Sequence, residues 1–85
     1  MASYRVVIAS SAIKELGTLP KKDRQRIGAR LESLGLDPRP PGCEKLAGQD
    51  RYRVRQGDYR IVYSVDDRFQ TVDVAKIGHR KEVYR

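Results

Sequence analysis

Arg53, Arg55 and Arg60 lie in the stretch RYRVRQGDYRIVY, residues 51–63, at spacings that can gather guanidinium groups over one point. On either side of Gly57-Asp58 the residues alternate with period two, the pattern of two strands that each bury one face. A glycine at the first central position of a two-residue loop suits the type II′ turn, whose twist matches that of the strands it joins. Such a turn sets the register. Gln56 faces Tyr59, Arg55 faces Arg60, Val54 faces Ile61, Arg53 faces Val62 and Tyr52 faces Tyr63, and cross-strand partners share a face. Tyr52, Val54, Ile61 and Tyr63 then form an apolar side, and Arg53, Arg55 and Arg60 a cationic one. Like charges directly opposite each other destabilise a sheet, so Arg55 against Arg60 points to an anion held there, phosphate first.

The end of the chain adds to this set. It reads IGHRKEVYR, with a glycine to break the preceding strand, the only histidine (His79) beside Arg80, and Tyr84 four residues after that arginine. Folded back over the cationic side, it places Arg53, Arg55, Arg60 and Arg80 around one pocket with His79 and Tyr84 at the rim. Four guanidiniums can grip a phosphodiester through forked hydrogen bonds and offset the charge that grows on its oxygens in a transition state. Aromatic rings and guanidinium planes also stack unpaired bases, the usual way single-stranded RNA is held. His79 either transfers protons, as imidazoles do near neutral pH, or simply packs against the strand end.

The elements that must position these residues can be read in order. Tyr4 to Ile8, YRVVI, suits a first strand. Ser10 or Ser11 can cap a short helix with Ala12, Ile13 and Leu16 on its apolar side and Gly17 as its C′ residue. A second helix is expected from Pro20 to Leu34, ending at Gly35, with Ile27, Leu31 and Leu34 at i, i+4 and i+7. Its other face, with Lys21, Lys22, Arg24, Gln25 and Arg26, is either a solvated surface or a dock for an acidic protein or ribosomal RNA. Residues 36–50 hold three of the four prolines and read as a loop, with Leu46 as an anchor into the core. After the hairpin, Gln70 to Ile77 pairs back. A Val65–Gln70 pairing sets Val72 opposite Tyr63 and Val74 opposite Ile61, and sends Thr71, Asp73 and Ala75 to the arginine side, where Asp73 can pair with Arg53 or Arg60. The fold class is α+β: strand-helix-helix-strand-strand-strand, a small mainly antiparallel sheet with two helices packed on one face.

Composition bounds the rest. Eighty-five residues make one domain, 1–85, with a single core. The net charge of +7 asks for an acidic partner such as nucleic acid, a membrane surface or an acidic protein. No apolar run approaches the roughly 18 residues of a membrane span, and the first residues lack the order of a signal peptide, so a cytoplasmic location and no membrane partner are expected. The single cysteine, Cys43, excludes an intrachain disulfide and a cysteine-based zinc site. No cofactor is called for.

The order of elements, the hairpin YRVRQGDYRIVY and above all the ending IGHRKEVYR resemble the RelE branch of the RelE/ParE superfamily of toxin–antitoxin toxins. The resemblance covers essentially the whole chain. It implies a messenger RNA endonuclease of the ribosomal A site, cutting by attack of the ribose 2′-hydroxyl to leave a 2′,3′-cyclic phosphate and a 5′-hydroxyl. It also implies neutralisation by a RelB-like acidic antitoxin, through which the pair binds operator DNA. By the same resemblance Arg53 and Arg55 match basic positions of the second strand, Arg60 the arginine after the hairpin tyrosine, Arg80 the arginine after the Gly-x pair, and Tyr84 the C-terminal tyrosine that stacks on or orients substrate. One departure matters. Family members often carry a lysine general base where Arg53 or Arg55 stands, and a guanidinium cannot take a proton at neutral pH. His79 is then the candidate for proton transfer. The alternatives are a ParE-like inhibitor of DNA gyrase, and a catalytically weak nucleic-acid-binding member of the family.

Overall fold

The computed structural model describes residues 3–46 and 50–81. Among them the elements run β1 (Arg5–Ile8), α1 (Ser10–Gly17), α2 (Lys21–Leu36), β2 (Glu44–Leu46), β3 (Arg51–Gln56), β4 (Tyr59–Asp66) and β5 (Thr71–His79). One five-stranded sheet has the order β1-β5-β4-β3-β2, with β1 parallel to β5 and every other pair antiparallel. This is the expected α+β architecture with one more strand, β2, inside the stretch expected to be loop.

The hairpin register is the one its turn dictates, from Gln56 opposite Tyr59 through Tyr52 opposite Tyr63, with Gly57 at φ +61°. A positive φ at the first central residue alone is the signature of the type II′ turn. The β4–β5 register differs from expectation. Tyr63 faces Val74 and Ile61 faces Ile77, with an irregularity between Val62 and Tyr63. The turn is set one residue later on each strand, Asp66 facing Thr71, because Gln70 takes a left-handed φ of 50° inside the turn and not a place in the strand. That two-residue slip keeps the β5 side chains up to Val74 on their expected faces. The bulge then adds a third residue and shifts the pairing from there to the strand end.

Both helices depart from their expected ends. Ala9 and Pro20 are the N-caps, and neither helix has a side-chain cap. Ser10 is already helical, and Gly17 closes α1 ahead of Thr18 instead of following it. Gly35 lies within α2, where its role is close approach: a Cβ there would stand 3.0 Å from the Tyr4 carbonyl oxygen, and the Tyr4 N–H donates to the Gly35 carbonyl at 2.7 Å. It lets the helix touch β1.

The core lies between the helices and one sheet face. Ala12, Ile27, Leu31 and Leu34 meet Tyr52, Val54, Ile61, Tyr63, Val65, Val72, Val74 and Ile77. Each large side chain buried this way contributes about 1.5–3 kcal/mol. Two expected members are outside it. Ile13 is 54% exposed, and Leu46 sits half-buried on β2, opposite Arg51.

A polar brace closes one end of the sheet. Both terminal nitrogens of Arg39 donate to Asp67, Arg39 Nε donates to the Tyr52 hydroxyl, and the Tyr4 hydroxyl donates to Asp67 at 2.6 Å. The Arg39 bonds, then the Tyr4 bond, hold the Asp67 carboxyl down from 3.8 to about 2. A carboxylate with a depressed folded-state pKa stabilises the fold above its ordinary value and loses that contribution as pH falls. The melting temperature should therefore decline between about pH 4 and pH 2. Asp67→Asn should flatten that limb, and an unchanged slope in a series of thermal melts would remove Asp67 from acid unfolding.

Candidate nucleic-acid interface

Residues between the core positions point away from the helices, and the register orders them in rows across this open face. Nearest the hairpin turn Arg55, Arg60 and Gly78 lie side by side. One step further in come Glu44, Arg53, Val62 and Lys76, and after them Leu46, Arg51, Ser64, Asp73 and Val7. Row neighbours on one face stand about 5 Å apart and diagonal ones about 7–8 Å. So three arginines share one corner.

Arg60 is at its centre. Its Nη1 donates to the Tyr59 carbonyl at 3.1 Å and to the Gly57 carbonyl at 3.4 Å, which ties the guanidinium to the hairpin backbone. Its pKa is lowered, first by partial desolvation and then by the positive charges of Arg55, Arg53 and Arg80. Arg55 is the cross-strand partner of Arg60, and Arg80 follows Gly78, which faces Arg60 from β5. The Arg80 N–H donates to the Asp58 carbonyl at 2.8 Å and holds that segment against the hairpin turn. Of the expected set, Arg53, Arg55, Arg60 and Arg80 come together.

His79 does not join them. It pairs with Tyr59, so it lies on the helix side of the sheet, its ring edge-on to Tyr59 with centroids 5.8 Å apart. Strand β5 runs through Gly78 without a break, which carries His79 one position past the arginine face. The Tyr59 hydroxyl points to Asp23 on α2 at 3.4 Å, and His79 Nδ1 accepts the Lys81 N–H at 3.2 Å. Tyr84 lies outside the described residues.

Two side chains escaped the sequence reading. Glu44 on β2 contacts Arg53 Nη2 through one oxygen and lies 3.7 Å from Arg55 Nη2 through the other, so one carboxylate spans both guanidiniums. Lys76 occupies the open-face place expected for Ala75. The signal for it was present: apolar residues at 72, 74 and then 77 break the period of two, as a bulge requires. Asp73 is on the open face as expected, but it makes no ion pair among the described residues and faces Ser64 beside Arg51.

Arg53, Arg55, Arg60 and Arg80 thus gather at one corner of the sheet face away from the helices, with the Glu44 carboxylate between Arg53 and Arg55. A mainly antiparallel sheet under two helices, with the arginines on its far side, is a build shared with small toxins of type II toxin–antitoxin systems. The profile of the ParE toxin of the type II toxin–antitoxin system parDE matches residues 6–84. Toxin RelE of Mycobacterium tuberculosis is 31% identical over 96% of this chain and 87% of its own length, and toxin RelG of the same organism 39% identical over 96% and 97%. Among solved structures, RelE in the archaeal RelE–RelB complex from Pyrococcus horikoshii superposes with a TM-score of 0.82 at 31% identity, over 95% of this chain and 99% of that one. The isolated RelE toxin of Escherichia coli superposes at 0.80 and 31% identity, over 96% and 92%. The chain belongs to the RelE/ParE toxins of type II toxin–antitoxin systems, as a RelE-type toxin.

Proposed function

We propose that this toxin is a ribosome-dependent messenger RNA endoribonuclease that cuts the codon in the A site and so stops translation. The observation that supports it is Arg55 directly opposite Arg60, with Arg53 one step along the same face and the Arg80 backbone held at the hairpin turn. Glu44 offsets the charge of Arg53 and Arg55 only, and a phosphodiester offers two further oxygens to forked donors. Attack of the 2′-hydroxyl on the adjacent phosphorus adds charge to those oxygens, which the guanidiniums offset most strongly when water is excluded. The bond from phosphorus to the 5′ oxygen breaks, leaving a 2′,3′-cyclic phosphate and a 5′-hydroxyl. The guanidiniums cannot take the 2′ proton. Glu44 and Lys76, the ionisable side chains that share the row of Arg53 on the open face, are the groups to which the 2′ proton would pass and from which the departing 5′ oxygen would gain one.

A RelB-like acidic antitoxin is the partner that fits a chain of net charge +7, and solved relatives are held in RelE–RelB complexes. Operator DNA would be bound through that antitoxin, and the cell compartment would be the cytoplasm, where ribosomes are. The matching ParE profile favours one other reading, inhibition of DNA gyrase. Primer extension on a message translated in vitro separates the two. Cleavage within A-site codons, appearing only with ribosomes, is the expected result. An intact message together with loss of gyrase supercoiling would replace the first reading with the second.

A further inference from the structure

His79 is a polar aromatic group at the sheet end that the anion site does not use. Its Nδ1 accepts the N–H of residue 81, two positions on, at 3.2 Å, while the backbone N–H between them, that of Arg80, is held by the Asp58 carbonyl at 2.8 Å. A side-chain acceptor bonded to the N–H two residues later is the geometry of an Asx turn, here made by an imidazole nitrogen. The ring that supplies it is set by an edge-on contact with Tyr59, whose hydroxyl reaches Asp23 on α2. Backbone bonds on both sides of Arg80 therefore fix how that residue leaves the sheet, two positions past Gly78, which lies opposite Arg60.

We propose that His79 is a positioning residue: its Nδ1 closes the turn that aims Arg80 at the arginine cluster, and it makes no contact with substrate. This rests on the nuclease reading for its kinetic test but not for its structural one. Asparagine carries an acceptor close to the place of imidazole Nδ1, whereas phenylalanine keeps the ring and loses the acceptor. His79→Asn should therefore cleave ribosome-bound message within about threefold of the natural chain, and His79→Phe should be slower by about tenfold or more, since misplacement of a reacting group by an ångström costs up to about 10²-fold. In an Arg80→Ala background the two variants should become equal, because a residue acting through Arg80 has nothing left to aim. Hydrogen exchange at the Lys81 amide, read by NMR on the same proteins without RNA, should stay protected in His79→Asn and become fast in His79→Phe. A His79→Asn variant as slow as His79→Phe, an undiminished His79→Phe defect without Arg80, or equal Lys81 exchange in the two variants would each overturn the assignment. If the natural chain cuts nothing, the nuclease reading fails, and the amide exchange still decides whether His79 closes the turn.

Discussion

Replacing Arg60 with alanine is expected to slow single-turnover cleavage of ribosome-bound message by about 10²- to 10³-fold, the range seen when one preorganised donor to a developing oxyanion is lost. Arg60 stands directly opposite Arg55 and within the fields of Arg53 and Arg80, so its removal takes away the group with most of the cluster around it. The same crowding gives the prediction a second half. Like charges across a strand pair cost about 0.2–1 kcal/mol, so Arg60→Ala should leave urea stability unchanged or raise it by a few tenths of a kcal/mol. Loss of activity with no loss of stability is what distinguishes a charge kept for its ligand from one kept for the fold. Arg60→Lys should recover little, because a point charge cannot reproduce the planar fork. Cleavage by Arg60→Ala within about threefold of the natural chain would place the phosphate elsewhere.

How much of this was legible depends on how local each signal is. The central hairpin was readable residue by residue, because a two-residue turn and a period of two leave one register, and every pair from Gln56–Tyr59 to Tyr52–Tyr63 obeys it. The core face was readable too, since a slip of two residues in β5 preserves sides. What failed was set from a distance. Strand β2 is three residues, Glu44–Leu46, with no alternation of its own; pairing with β3 makes it a strand, and its position at Glu44 opposite Arg53 brings a carboxylate into the arginine site. Gly35 looked like a helix end because glycine often is one, whereas the space it saves belongs to Tyr4, thirty-one positions earlier in the chain. His79 belongs to the cationic side only if Gly78 ends β5. Continuation of the strand through that glycine reverses the side.

Tyr63→Ala should be the most destabilising single change, by about 3–5 kcal/mol, as for other large aromatic side chains cut back to alanine in a packed core. Tyr63 is fully buried in the middle of β4, stacked on Tyr52 with ring centroids 5.8 Å apart at 27°, and its hydroxyl donates to the Pro38 carbonyl at 2.7 Å. Small domains hold about 5–15 kcal/mol in all, so the variant should unfold at a much lower urea concentration with the slope unchanged. Tyr63→Phe separates two contributions. It keeps the ring and loses the bond to Pro38, at a cost of about 1 kcal/mol. That bond has a functional reach as well. Pro38 precedes Arg39, whose guanidinium fastens the same segment to Tyr52 and Asp67, and the segment leads directly into Glu44 between Arg53 and Arg55. Tyr63→Phe should therefore remain folded and still cleave more slowly, with the defect shrinking when Glu44 is also replaced by glutamine, because both changes loosen the hold on the same two guanidiniums. Equal defects with and without Glu44 would mean that the phenol supports the core alone.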